Sequence, residues 1–416
     1  MKPHFLFTRK VGGSQVDGHN TPPLSIHAGR LKLNAITHKR KSGTRLQVDA
    51  RKAPALVRWW GLLLGLGIAA PMQAQNPFLG LEHLFTAPNS YVVQHTTQPL
   101  TMDGNLQESA WQQAAWSTDF VDIEGEAKLL PSLQTRVKML WNDSTLFVAA
   151  TLQEPQIWAT QTHHDDIIYH DNDFEVFIDP DNNTHQYFEI EVNALNKIFD
   201  LYLPKPYRNK GDALIGWDVA GLRSGVAIKG TLNQPQDVDE SWTMEMAIPL
   251  KALRMGFPFQ PPTEGTQWRI NFSRVQWDTR VADGKNKKLQ DAAGKDLPEH
   301  NWVWSPQGVV NMHYPERWGY LQFTRQANTT FKLPDSELRR RYLWLVYYRQ
   351  KAYRQQHGRY ATTLAALKVA PQAEINNRSQ QLQLAATPYQ FTATITAAGN
   401  PTIRINDEGL IETLKP

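Results

Sequence analysis

The chain predicts a mainly β fold: a two-sheet antiparallel β-sandwich of jelly-roll-like kind, with a small C-terminal α+β appendage. Three observations predict it. About ten short runs between residues 90 and 325 alternate apolar and polar residues with the period of a strand. Asp-Gly, Asn-Asp, Pro-Asp and Gly-rich turns separate these runs, and no helical pattern intervenes. The chain is also 10% aromatic with 14 Trp, more large planar side chains than core packing needs.

The first segment differs from the rest. Residues 1–58 carry a dozen Lys/Arg against Asp17 and Asp49, so the formal charge of +4 hides a mildly acidic remainder. Residues 1–50 have no hydrophobic periodicity and read as a disordered or mis-assigned extension. Residues 51–74, "RKAPALVRWWGLLLGLGIAAPMQA", have the order of a secretory signal: basic residues, an apolar run of about a dozen, then small residues. That run is shorter than the roughly 20 residues a membrane span needs. The expectation is export to the periplasm or beyond, with no stable membrane span once the signal is removed. Residues 75–89 read as a polar linker.

The chain contains no Cys, which excludes disulfides, thiolate metal sites and a cysteine nucleophile. No Gly-rich phosphate loop or Gly-x-Ser-x-Gly is present, and the basic residues after the leader are scattered. Nucleotide, serine-hydrolase and nucleic-acid functions fall away on those grounds.

The strand runs begin with "YVVQH", "TRVKMLWN" and "TLFVAATL" and continue to "WRINFSRVQW" and "GYLQFT". The densest chemistry lies in the central pair, "DFEVFIDP" and "YFEIEVNA". Period-2 alternation places Phe174, Val176 and Ile178 on one face of the first run, and Glu175, Phe177 and Asp179 on the other. In the second, Phe188, Ile190 and Val192 point inward, while Tyr187, Glu189, Glu191 and Asn193 share the opposite face. If the runs pair, Glu175, Glu189 and Glu191 gather with Tyr187 on one polar sheet face.

Carboxylates beside aromatic rings suit a sugar, whose hydroxyls donate to the acids and whose C–H faces lie on rings. The plainer reading is a solvated outer face. Two neighbouring carboxylates also raise glycoside hydrolysis by Glu175 with Glu189 or Glu191. For metals, the oxygen-rich loop "DPDNN" offers Asp179, Asp181 and Asn183 to a structural Ca2+, or these are ordinary turn residues. His163, His164 and His170 make a poor zinc set, with no i,i+4 pair on a helix. No organic cofactor is expected.

Residues 331–416 change character. Leu338, Tyr342, Leu345, Arg349 and Tyr353 recur at helical spacing, with Asp335 or Ser336 as N-cap and Gly358 as the stop. Strands follow at "QLQLAA", "YQFTATITA" and "TIRINDEGLIETL".

In order along the chain, "LTMDGNLQESAW", "TRVKMLWNDSTLFVAATLQEP", "DNDFEVFIDPD", "DESWTMEMAIPL", "NWVWSPQG" and "MHYPERWGYLQF" resemble the carbohydrate-binding module family 9 domain, over about residues 91–324. The resemblance implies a β-sandwich that binds sugars, carries Ca2+ and has no catalytic role. It places Tyr169, Asp171, Asp173 and Glu175 on a ligand-binding motif, with Glu175 as the sugar-contacting acid. It also marks departures. Tyr169 stands where a sandwiching Trp is expected, Glu191 falls near an expected Arg, and Met312 falls near the second Trp. Trp304 and Trp318, close by in sequence, serve either as platform or as core. The expected function is thus an exported carbohydrate-binding protein for poly- or oligosaccharides in carbohydrate catabolism. The alternatives are a glycoside hydrolase, or a surface interaction protein that has lost sugar binding.

Overall fold

The computed structural model describes residues 76–255 and 260–414. The extension and signal peptide expected over residues 1–74 lie outside the described residues. Among the described residues no helix is long and apolar enough to cross a membrane.

The chain is mainly β, as its alternation predicts. Strands β1 (Ser90–His95), β2 (Val121–Asp122), β3 (Thr135–Trp141) and β4 (Thr145–Gln153) are followed by β5 (Asp173–Asp179), β6 (Tyr187–Asn193) and β7 (Ile198–Leu203). Next come β8 (Arg223–Lys229), β9 (Ser241–Pro249), β10 (Gln267–Gln276), the separate hairpin β11 (Thr279–Ala282) and β12 (Lys285–Lys288), β13 (His300–Val303) and β14 (Gly319–Thr324). A short helix α1 (Ser109–Gln113) sits between β1 and β2.

Twelve of these strands form one hydrogen-bonded sheet in the order β7-β6-β5-β10-β14-β1-β3-β4-β9-β8, with β13 branching from β10 and β2 pairing β13. Val176 and Ile190 from one end of that path share a single core with Val148, Met244 and Met246 from the other. The sheet therefore curls over on itself and is sandwich-like, although its backbone ladder is continuous. Full burial of each such side chain contributes about 1.5–3 kcal/mol, which makes this core the main source of cohesion.

The all-antiparallel expectation fails at β1, which lies parallel to both neighbours: Ser90 pairs with Tyr320 of β14, and His95 with Trp141 of β3. Short alternating runs do not encode strand direction, so sequence pattern could not show this.

The helix after residue 331 forms as α2 (Asp335–His357), and Gly358 ends it in the left-handed conformation at φ 70°. Its N-cap is Pro334, with no side-chain cap bond, rather than Asp335 or Ser336. A five-stranded antiparallel sheet follows, from β15 (Gln372–Ile375) and β16 (Arg378–Ala386) through β17 (Phe391–Thr396) and β18 (Ile403–Asn406) to β19 (Ile411–Thr413). Leu343, Val346 and Tyr347 of α2 pack on Phe391, Ile395 and Ile405. Leu84 and Phe85 join that core, so the stretch expected as a linker is packed down.

Glu337 ties α2 to the large sheet. It accepts from Arg269 Nη2 at 2.8 Å, the Tyr320 hydroxyl at 3.0 Å and Asn182 Nδ2 at 3.0 Å. Burial pushes its carboxyl upward, but Arg269 and Arg340 outweigh burial and hold it below the usual range.

Candidate functional site

The site is built on the β5–β6 hairpin. The ladder sets Glu175 opposite Glu191, Phe177 opposite Glu189, and Asp173 opposite Asn193. Side chains alternate along a strand, so these residues share the face away from the main core. That face is where the sequence placed the carboxylates, but it is not solvated. Glu175 and Glu189 are 5% exposed and Glu191 3%, because segments around Ile123, Tyr169, Tyr207, Glu299 and Met312 border them.

The covered space is a cavity of about 530 Å3. Tyr169, Glu175, Glu189, Glu191, Met312 and His313 line it, together with Tyr207, Glu299 and Asn301. Five of the residues expected from sequence therefore meet at one place. No Lys or Arg lines it.

The electrostatics follow from that composition. Burial pushes the Glu175 carboxyl up to about 7. Glu189 and Glu191 are pushed well above the usual carboxylate range, first by burial and then by the charge of Glu175. Asp173 moves the same way for the same two reasons. Tyr169 is 41% exposed and sits within reach of these acids. Its backbone N–H donates to Glu191 Oε2 at 3.1 Å, and Trp277 Nε1 donates to its carbonyl at 2.9 Å, which fix the position of the ring's backbone.

Other expected residues support the cavity from outside. Asp171 accepts the N–H groups of Thr160 and Gln161 at 2.8 and 2.9 Å, and Asn193 Nδ2 at 3.0 Å. Asn193 also accepts from the Leu195 and Lys197 N–H groups. These two residues clamp loops and do not line the cavity. Tyr187 is fully buried, its hydroxyl 2.9 Å from His313 Nδ1. Burial, then the charge of Arg208, lowers His313 to about 3, so its ring is neutral where it shares a hydrogen bond with the Tyr187 hydroxyl, the tautomer setting which group donates.

The two tryptophans are core, not platforms. Trp304 is 1% exposed against Phe272, and Gly319 passes so close to its ring that a Cβ there would collide. Trp318 is 0% exposed between Phe177 and Tyr187, and its Nε1 donates to the Met312 carbonyl at 2.8 Å. Both fill volume under the site, where a large planar ring packs best.

Asp179, Asp181 and Asn183 form the β5–β6 turn. Asp179 accepts from the Asn182 and Thr184 N–H groups at 2.9 and 2.7 Å. Asp181 accepts from the Asn183 N–H at 3.3 Å and its Nδ2 at 2.8 Å, while Asn183 Oδ1 accepts from the His185 N–H at 2.7 Å. Every side-chain oxygen of the trio already has a donor, so the set fits a turn better than a Ca2+ cage.

Sequence reading missed Glu299, Tyr207 and Asn301. Asn301 lies in β13 and Glu299 just before it; "HNWV" at the head of "NWVWSP" is the signal that could have placed a strand there.

Comparison with known proteins gives the same direction as the motifs. The family described as carbohydrate family 9 binding domain-like matches residues 102–307. No curated protein matches the chain. Among solved structures, a candidate carbohydrate-binding protein from Bacteroides uniformis is 16% identical and covers 57% of this chain and 100% of its own, with a TM-score of 0.43. A carbohydrate binding module family 9 from Caldicellulosiruptor kristjanssonii, solved with cellotriose and with glucose, is 14% identical, with a TM-score of 0.36. It covers 59% of this chain and 100% of its own. The cavity and both strands beneath it fall largely within residues 102–307, the part of the chain that matches the carbohydrate family 9 binding domain-like family.

Proposed function

We propose that this chain is an exported, non-catalytic carbohydrate-binding protein that seats a sugar in the cavity over β5 and β6. The observation that carries this reading is the meeting of a part-exposed ring, Tyr169, with the carboxyls of Glu175, Glu189 and Glu191 in one cavity of about 530 Å3. A volume of that order accepts a small ligand. The ring offers a face for sugar C–H groups, and the carboxyls offer acceptors for hydroxyls. Glycoside hydrolysis needs one carboxyl kept protonated beside one kept ionised. Here burial and mutual charge move all of them in the same direction, so the split that catalysis needs is missing. Export rests on the leader-like residues 51–74, and a link to polysaccharide breakdown rests on family resemblance.

A glycan array with the mature protein tests the reading, with the same glycans screened for cleavage. Binding without turnover, lost in Glu175→Ala, is the expected result. Turnover that disappears with Glu175→Ala makes the protein a hydrolase. A blank array, with the protein folded, makes it an interaction protein without sugar binding.

A further inference from the structure

We infer that Asp173, Glu175 and Glu191 hold a hard divalent cation, of the Ca2+, Mg2+ or Mn2+ kind, on the cavity side of the β5–β6 hairpin. One carboxylate oxygen from each of the three lies within 4.8 Å of the others. Residues 173 and 175 are two apart on one strand and Glu191 is directly across from Glu175, so the backbone ladder itself holds the triad together.

The second observation concerns the oxygens. Asp173 Oδ2 and Glu175 Oε2 are buried and have no hydrogen-bond partner, although both residues are at least nine-tenths buried. A buried polar oxygen without a donor is costly, and a buried charge without a counter-charge more so. Elsewhere this fold meets that cost. Glu337 is paired with Arg269 at 2.8 Å, Glu154 with Arg274 at 2.9 Å and Glu316 with Arg208 at 2.8 Å. Glu245 has no cation, yet it accepts from Trp111 Nε1 and from the Gly104 and Asp103 N–H groups. In the triad, backbone N–H groups reach only Glu191 Oε2, from Tyr169, and Asp173 Oδ1, from Val275, which leaves Asp173 Oδ2 and Glu175 Oε2 bare, and no Lys or Arg lines the cavity. Its counter-charge comes from outside the chain.

The chemistry of the donors selects the class. Three carboxylates and no thiolate or convergent imidazole suit oxygen-preferring ions. Three protein oxygens leave other coordination positions open, and Glu175 and Glu191 border the cavity, so water or a ligand hydroxyl completes the shell. The site does not depend on whether the cavity takes a sugar.

The test uses the mature protein, stripped with EDTA and titrated without glycan. Loss of the free Mn2+ resonance signal with added protein counts sites, and calorimetry with CaCl2 gives a second ion. One site per chain is expected, with affinity reduced at least tenfold in both Glu191→Gln and Asp173→Asn. Each of these removes a buried charge and should fold, which thermal unfolding checks. A second acidic group, His164 with Asp165, Asp200 and Asp218, provides the control: Asp200→Asn should leave the titration unchanged. The proposal is overturned by no binding at millimolar metal, by binding that survives both triad variants, or by binding lost with Asp200→Asn. Uptake of a protonated amine such as glucosamine by metal-free protein that binds no metal also overturns it, because the occupant is then an ammonium group.

Discussion

Glu175 on β5 and Glu191 on β6 face each other directly across the hairpin ladder, two buried carboxyls without a cationic side chain around their cavity. Arg269 and Glu337, also buried, show the opposite solution, at 2.8 Å. The same protein thus contains one acid cluster compensated from within and one that is not, and the predictions turn on that contrast.

In metal-free protein at pH 7.5, Glu191→Gln should raise the free energy of unfolding by about 1–3 kcal/mol, because a carboxyl that burial holds protonated must take up a proton on folding and an amide need not. Urea denaturation reads this directly. A variant less stable than the parent would mean that Glu191 is ionised and compensated in the apo fold.

Glu337→Ala should act in the other direction. It strands Arg269, and breaking a buried pair from one side costs about 3–5 kcal/mol. Adding Arg269→Met should recover part of that loss. Equal melting temperatures for Glu337→Ala and the parent would rule out this ion pair as the tie between α2 and the large sheet.

His313 sets a pH dependence. The unfolded chain takes up its proton near pH 6.5, whereas the folded ring, lowered first by burial and then by Arg208, takes it up only near 3. Its stabilising contribution is therefore intact above pH 6.5 and declines as pH falls through that window. Tyr187, Tyr207 and Arg208 are its neighbours. His313→Gln should flatten the decline. The difference between the two curves should be a fraction of about 1.4 kcal/mol per pH unit, since the ring is part-exposed. Parallel curves would count against a neutral His313.

Tyr169→Ala should leave stability within about 0.5 kcal/mol, as for an exposed surface residue. On whichever glycan the array identifies, calorimetry should show roughly tenfold weaker binding, the worth of one stacked ring. Unchanged affinity would remove Tyr169 from the sugar seat.

Alternation alone placed Glu175, Glu189 and Glu191 on one face, and the ladder register agrees with it. What alternation could not show is that the face is roofed. The cover comes from residues far away in sequence, among them Tyr207, Glu299 and Met312, and a period of two says nothing about distant loops. The same limit explains Trp304 and Trp318: a Trp-rich stretch looks alike whether its rings face solvent or a neighbouring strand. The helix Asp335–His357 was legible from its spacing and from Gly358: Leu345 lies in the core and Leu338, Tyr342 and Tyr353 pack against it, while Leu343, Val346 and Tyr347 widen the buried face beyond the expected stripe.

The placement of β1 has a consequence for how this chain is made. Ser90 and its neighbours hydrogen-bond to Tyr320 and beyond, so the first strand of the sheet waits for the last before it has a partner on that side. Until Thr324 has been synthesised, a nascent chain exposes the edges of β1 and β10 that β14 will pair, and bare edges recruit other strands. Contacts this remote in sequence also slow folding. The domain should therefore close only after synthesis, in a late step that joins its two ends, and chains shortened before β14 should aggregate rather than fold.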